Sequence, residues 1–181
     1  FITGNLDRSI RLKYSLARAN VPRRFSPILA LRIRTGLDHI TDFHNSNLNG
    51  WLPGIALSNK QDIEFRTYAE NTVFHNYTHP PGDKSGVIFS QTFNNLRRND
   101  LYEFSIKARR FDGRFEPPSL SLSTSQGSLT TPAKLLDLVN WLTLSGTLTA
   151  NSETLTLYIN SHVITSYGND YEIDDIRFRR V

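Results

Sequence analysis

Along this chain apolar and polar positions alternate rather than recur at helical spacing. Ile10, Leu12, Tyr14 and Leu16 fall on one face of a segment whose other face carries Arg11, Lys13 and Ser15, the period-two pattern of a half-buried strand. Leu29, Leu31 and Ile33 repeat it beyond a turn-rich stretch around Pro22 and Pro27, so residues 1–36 are expected to form a β-hairpin arm. An isolated hairpin is marginal in water, and its apolar face needs a neighbouring surface. Thr35 and Gly36 interrupt the pattern. From Leu37 onward strands are predicted at 39–43, 63–70, 86–93, 102–110, 119–124, 141–149, 154–159 and 171–178, separated by clusters of Gly, Pro, Asn and Asp. That spacing predicts an all-β sandwich or barrel over 37–181. One segment, 133–139, reads as a short helix: Pro132 suits a helix start, and Leu135, Leu138 and Val139 share a helical face.

Composition narrows the chemistry. The 181 residues suffice for a sizeable core, and 38% hydrophobic with 21% charged residues is the balance of a folded domain. No run approaches the length of a membrane span, so membrane insertion is not expected. Cysteine is absent, which excludes disulfides, thiolate metal sites and cysteine nucleophiles. The chain starts at Phe1 and contains no methionine, which reads as a processed or excised piece of a longer polypeptide. The net charge of +4 is uneven: eight Arg and Lys and one acid fall in the first 35 residues, leaving 13 basic against 16 acidic residues beyond them. With no recognition motif beside that charge, nucleic acid is not the expected partner. Phosphate loops and βαβ alternation are also missing, which argues against a nucleotide-binding fold.

From Asp38 onward the order of features is more specific. An acidic residue and Phe with Gly-Trp after a loop are present as Asp42-Phe43-His44 and Gly50-Trp51. A strand ending in Gln follows (Val87 to Gln91), then Tyr102-Glu103-Phe104-Ser105-Ile106, then Trp141 ahead of Gly146-Thr147, and finally Tyr171-Glu172-Ile173-Asp174-Asp175-Ile176. In this order the segments resemble the galactose-binding-like jelly rolls, in particular carbohydrate-binding module families four, nine and twenty-two. The resemblance covers residues 38–181 and implies a jelly-roll β-sandwich that binds glycan without catalysis. It also implies a structural calcium near the opening segment and the terminal Asp-Asp, with Asp42, Asp174 and Asp175 as candidate ligands. His44 stands where many relatives carry Glu, and imidazole suits calcium poorly. The arm itself resembles the last two strands of an immunoglobulin-like repeat.

Sugar recognition needs flat aromatic faces and convergent polar groups. Tyr68, Phe74, His75, Tyr77 and His79 lie close together in sequence with Asn71, Asn76 and Thr78, and form the first candidate; the alternative is an exposed loop with aromatics folded beneath it. Arg109, Arg110, Phe111, Asp112, Arg114, Phe115 and Glu116 form a second, which would favour an anionic glycan because arginine forks onto carboxylates. Tyr158, Asn160, His162 and Tyr167 rank third. Trp51 and Trp141 are both read as core. Among the acids no pair suited to glycoside hydrolysis stands out, and the five histidines have no zinc spacing. The expected role is targeting of a parent protein to a polysaccharide or cell-surface glycan, outside the cell. The competing role is a structural or adhesive domain that docks neighbouring domains of the parent chain and has no sugar site.

Overall fold

The structure is a computed structural model that describes residues 9–18, 21–32 and 36–181. Two compact units divide the chain, Phe1–Leu37 and Asp38–Val181.

In the first unit β1 (Ser9–Leu12) pairs with β4 (Leu29–Arg32), and β2 (Ser15–Arg18) pairs with β3 (Val21–Phe25), all antiparallel. Ile10 lies opposite Leu31 and Leu12 opposite Leu29, so the alternation of the arm is matched across the ladder. The stretch read as turn-rich around Pro22 is itself a strand, and Ile33 lies outside the described residues.

The second unit is built almost entirely from strands: β5 (Asp38–Thr41), β6 (Leu52–Pro53), β7 (Ile63–Tyr68), β8 (Asn71–Asn76), β9 (Gly86–Phe93), β10 (Leu101–Arg110), β11 (Ser119–Thr124), β12 (Gly127–Ser128), β13 (Ala133–Lys134), β14 (Leu142–Thr149), β15 (Leu155–Ser161) and β16 (Tyr171–Arg180). They form two antiparallel sheets of six. Sheet I runs β14-β10-β16-β8-β7, with β5 also paired to β16; sheet II runs β12-β11-β15-β9-β6, with β13 on β11. The two sheets make the β-sandwich expected of a jelly roll.

Alternation decides what is buried. On β10, Tyr102, Phe104, Ile106 and Ala108 are buried while Glu103, Ser105, Lys107 and Arg109 face outward. Phe74, Ile173 and Phe178 join them from sheet I, and Leu120, Leu122, Leu157, Ile159 and Phe89 come from sheet II. Aromatic rings fill the middle: Phe74 meets Phe89 edge-on at 4.7 Å, and Trp51 stacks on Phe104 at 5.9 Å.

Two expectations are corrected. Segment 133–139 is not a helix, because Ala133 and Lys134 pair with β11 and the Leu135 amide donates to the Pro118 carbonyl, consuming the backbone groups a helix would use. Residues 71–76 are a full strand, β8, hairpinned to β7 across Ala69 and Glu70, with Ala69 in the left-handed region at φ 56°. The Phe74 ring, which also touches Phe43 and Tyr171, sits where the core is most crowded. Phe74→Ala is expected to lower unfolding stability by about 3–5 kcal/mol. Phe115→Ala, at a ring 51% exposed, should change it by under about 0.5 kcal/mol. Chemical denaturation of the two variants checks the contrast.

Candidate functional site

The outer face of sheet I carries the charged residues that alternation expels from the core. Their register is set by a β-bulge. Ser105 lies opposite Arg177 and Lys107 opposite Asp174, so β16 spends one residue more than β10, and Asp175 takes φ 46° to absorb it. Glu172 and Asp174 therefore face outward before the bulge, and Arg177 and Arg179 face outward after it. Were β16 unbulged, Glu172 and Asp174 would face the opposite side from Arg177 and Arg179.

Glu172 is the hub of this face. It is fully buried, and donors from three neighbouring strands reach it: Tyr68 from β7 (Oη to Oε1, 2.5 Å), His75 from β8 (Nδ1 to Oε1, 3.2 Å) and Arg109 from β10 (Nε to Oε2, 2.6 Å). Burial pushes the Glu172 carboxyl up, but the hydrogen bonds from His75, Tyr68 and Arg109 outweigh it and hold the group at about 2. An ionised carboxylate only accepts, so His75 carries its proton on Nδ1. Its Nε2 is buried without a partner. Burial, and then the hydrogen bond to Glu172 and its charge, raise the Tyr68 phenol above its ordinary range.

Aromatic rings surround the hub. The Arg109 guanidinium lies 4.6 Å from the Trp141 ring centroid and 5.3 Å from that of Tyr68. The Phe111 ring meets His75 edge-on at 4.3 Å and takes the Arg66 guanidinium on its face at 4.5 Å. Thus Tyr68, His75, Arg109 and Phe111, drawn from two separate sequence clusters, are brought together. Tyr77 and His79 are not among them. Their rings meet at 5.1 Å, and His79 is held through Nδ1 and its backbone amide by Asp62, which forms a buried ion pair with Lys84 at 2.6 Å. That segment is anchored by a charge pair of its own.

Trp141 corrects its expected role. It precedes inward-facing Leu142 by one position, so it points outward and is half-buried, whereas Trp51 is 2% exposed and belongs to the core. Glu172 was legible only as part of the Tyr-Glu-Ile-Asp-Asp motif. A signal for it existed in the alternation of β16, which places it outward beside Ile173.

Five cations on this face each meet a carboxylate: Arg66 with Glu64 (3.2 Å), Arg109 with Glu172 (2.6 Å), Lys107 with Asp175 (2.8 Å), Arg177 with Asp38 (2.7 Å) and Arg179 with Glu103 (2.6 Å). One step along β10 from Arg109, a hollow of about 360 Å³ opens among Ile40, Ser105, Lys107, Thr143, Asp175 and Arg177. Its volume is that of a small-ligand pocket.

The carboxylates assigned to calcium by resemblance have separate partners. Asp42 accepts from the His44 amide, Asp174 from Asn71 and the Asp175 amide, and Asp175 from Lys107. Among the described residues no three His, Asp or Glu side chains are grouped so as to hold a metal ion.

Glu172 titrates below the 4.5 of an ordinary glutamate, so its stabilisation is complete above about pH 4.5 and is lost as pH falls towards 2. By linkage this is worth on the order of 3 kcal/mol at neutral pH. Glu172→Gln should therefore be clearly less stable than the parent at pH 7, and the gap should close by pH 2. Asp170 and Asp174, raised by burial, act in the opposite sense in both proteins and cancel in the difference. Urea denaturation across that pH range measures the gap, and a constant gap would show that Glu172 is not the titrating group.

No family model and no curated protein matches this sequence. Among solved structures the chain is similar to the EclA C-terminal domain, described as a sugar-binding protein, with 28% identity, a TM-score of 0.59, and coverage of 76% of this chain and 96% of that one. It is also similar to the CBM22-1 xylan-binding domain of Paenibacillus barcinonensis Xyn10C, with 17% identity, a TM-score of 0.55, and coverage of 80% and 93%. That second likeness shows the fold. Among the described residues no helix is long and apolar enough to cross a membrane. The β-sandwich of this chain has the jelly-roll fold of carbohydrate-binding modules.

Proposed function

We propose that the outer face of sheet I binds a neutral glycan as a non-catalytic module, delivering a parent protein to a polysaccharide or cell surface. The observation that carries this reading is Arg109, fixed by Glu172 against both Trp141 and Tyr68. It gives a half-exposed aromatic platform with guanidinium N–H groups held at its rim, the pairing a pyranose ring needs for its C–H faces and its hydroxyls. The likeness to a sugar-binding domain at 28% identity supports the same reading.

The charge pairing changes the expected ligand class. An anionic sugar was favoured while the arginines were known only as residues. On the folded face Arg66, Arg109, Arg177 and Arg179 each already meet a carboxylate, so no uncompensated positive patch is left for a glycan acid. Paired groups still offer donors and acceptors to hydroxyls.

A structural role remains as the second reading, because those same five ion pairs satisfy the face without any ligand. A neutral-glycan panel measured by calorimetry separates the two. Binding is expected, with Trp141→Ala weakening it about tenfold or more, as the loss of one stacked aromatic implies. Tyr77→Ala should leave it unchanged. Absence of binding across the panel would leave the structural role.

A further inference from the structure

Every open sheet has edges, and natural proteins guard them with charge, proline, bulges or short strands. All but one of the edge strands of this sandwich follow that rule. The free edge of β7 carries Glu64 and Arg66, β5 is four residues long and starts on Asp38, β6 is two residues long and contains Pro53, and β12 and β13 are two residues each, with Lys134 on the latter. The edge at β14 is different. β14 runs eight residues, Leu-Thr-Leu-Ser-Gly-Thr-Leu-Thr, without a charge, a proline or a bulge. It pairs with β10 alone, and no other backbone hydrogen bond among the described residues uses Leu142 to Leu148.

We propose that the β14 edge is a pairing surface for a second copy of this chain, joining two sandwiches antiparallel through one continuous sheet. The argument is self-complementarity. In a two-fold pairing that keeps each face of the sheet continuous, a residue meets a partner of the same facing, so the two positions differ by an even number. Centred on Ser145, the pairing sets Leu142 against Leu148, Thr143 against Thr147, Leu144 against Gly146, and Ser145 against itself. Apolar positions meet on the inner face, hydroxyls meet on the outer face, and no like charges are opposed.

The same register is favoured at the strand's end. The Gln126 amide, oriented so that its nitrogen meets an acceptor, donates to the Thr149 carbonyl at 3.1 Å and occupies the last residue of the strand. A pairing centred on Ser145 needs only Leu142 to Leu148, whereas one centred on Gly146 would need Thr149. Beside the start of β14, Leu136 (69% exposed) and Val139 (73%) extend the apolar surface around Leu142, itself 41% exposed. The union would set two outer faces of sheet I side by side, doubling whatever that face binds, but it does not depend on the glycan reading.

This chain contains no cysteine, so single-cysteine variants of it report contacts without ambiguity. Directly opposed strand residues have Cα atoms within disulfide reach. Ser145→Cys is expected to convert mostly to a disulfide-linked dimer under mild oxidation, with Thr143→Cys and Thr156→Cys cross-linking about a tenth as much or less. Sedimentation velocity should show a dimer for the parent chain. Ser145→Lys and Ser145→Asp should each be monomeric, and an equimolar mixture should dimerise again. A parent chain that stays monomeric into the sub-millimolar range would overturn the proposal, as would cross-linking at Ser145 no better than at Thr156. A dimer insensitive to Ser145→Lys would equally overturn it by placing the contact elsewhere. If the charged variants fail to fold, the cysteine series decides alone.

Discussion

A carboxylate without solvent in the middle of a sheet has to be answered by donors from its neighbours, and the outer face of sheet I is arranged around that demand. Glu172 lies directly opposite His75 on β8 and Arg109 on β10, so its two flanking ladders must both be in register for the charge to be met. A slip of one residue in either ladder would turn Glu172 into the aromatic core, where nothing could pair it. Removing one partner of such a buried pair typically costs about 3–5 kcal/mol, so the strand register and the face's chemistry are held by the same interaction. The aromatic arrangement follows from it as well: Arg109 fixed by Glu172 orders Trp141 and Tyr68, and His75 fixed by Glu172 sets the edge on which Phe111 rests.

Local patterning made the strands readable and long-range pairing did not. Alternation located β9 and β11 to the residue, since apolar positions such as Leu120 and Leu122 alternate there with polar ones. β8 was folded into a presumed loop because its buried set, Val73 to Asn76, is continuous and partly polar, the pattern of a strand covered on both faces rather than one. The false helix at 133–139 came from proline and leucine spacing that a short edge pairing overrides. The two tryptophans show the limit most plainly. Each follows loop residues and precedes Leu, but which face it takes depends on the register of the next strand with a partner about forty residues away, information absent from its surroundings.

The site was half legible for the same reason. Arg109 and Phe111 could be grouped with each other, and Tyr68 with His75, but their union requires β16 to lie between β8 and β10. The contacts that make the hub join residues 104, 97 and 63 positions apart. The ion pairs behave likewise, and Arg177 with Asp38 spans 139 positions. A composition count sees five cations and infers affinity for anions, whereas the fold cancels them one by one. By contrast the inner strands of sheet II carry Ser90, Thr92, Ser121, Ser123, Thr156 and Asn160, and none of β9, β11, β12 or β15 contains a charge. Charge is thus concentrated on the one face that also holds the half-buried Trp141.

Pairing the charges in advance bears on selectivity as well as stability. For a neutral sugar, Arg109 keeps the N–H groups not used by Glu172 and can donate them without surrendering that bond, so the ligand gains hydrogen bonds while the ion pair stays intact. An acidic sugar would compete with Glu172 for the same guanidinium. Success would leave a fully buried carboxylate short of its strongest partner, a loss several times larger than the roughly 1 kcal/mol or less that a surface ion pair returns. On the proposed reading the face would disfavour glycan acids by the cost of disrupting its own hub, not by repulsion. Selectivity of this kind should depend on Glu172 rather than on net charge, since the pair that stabilises the register is the same pair an acidic ligand would have to break.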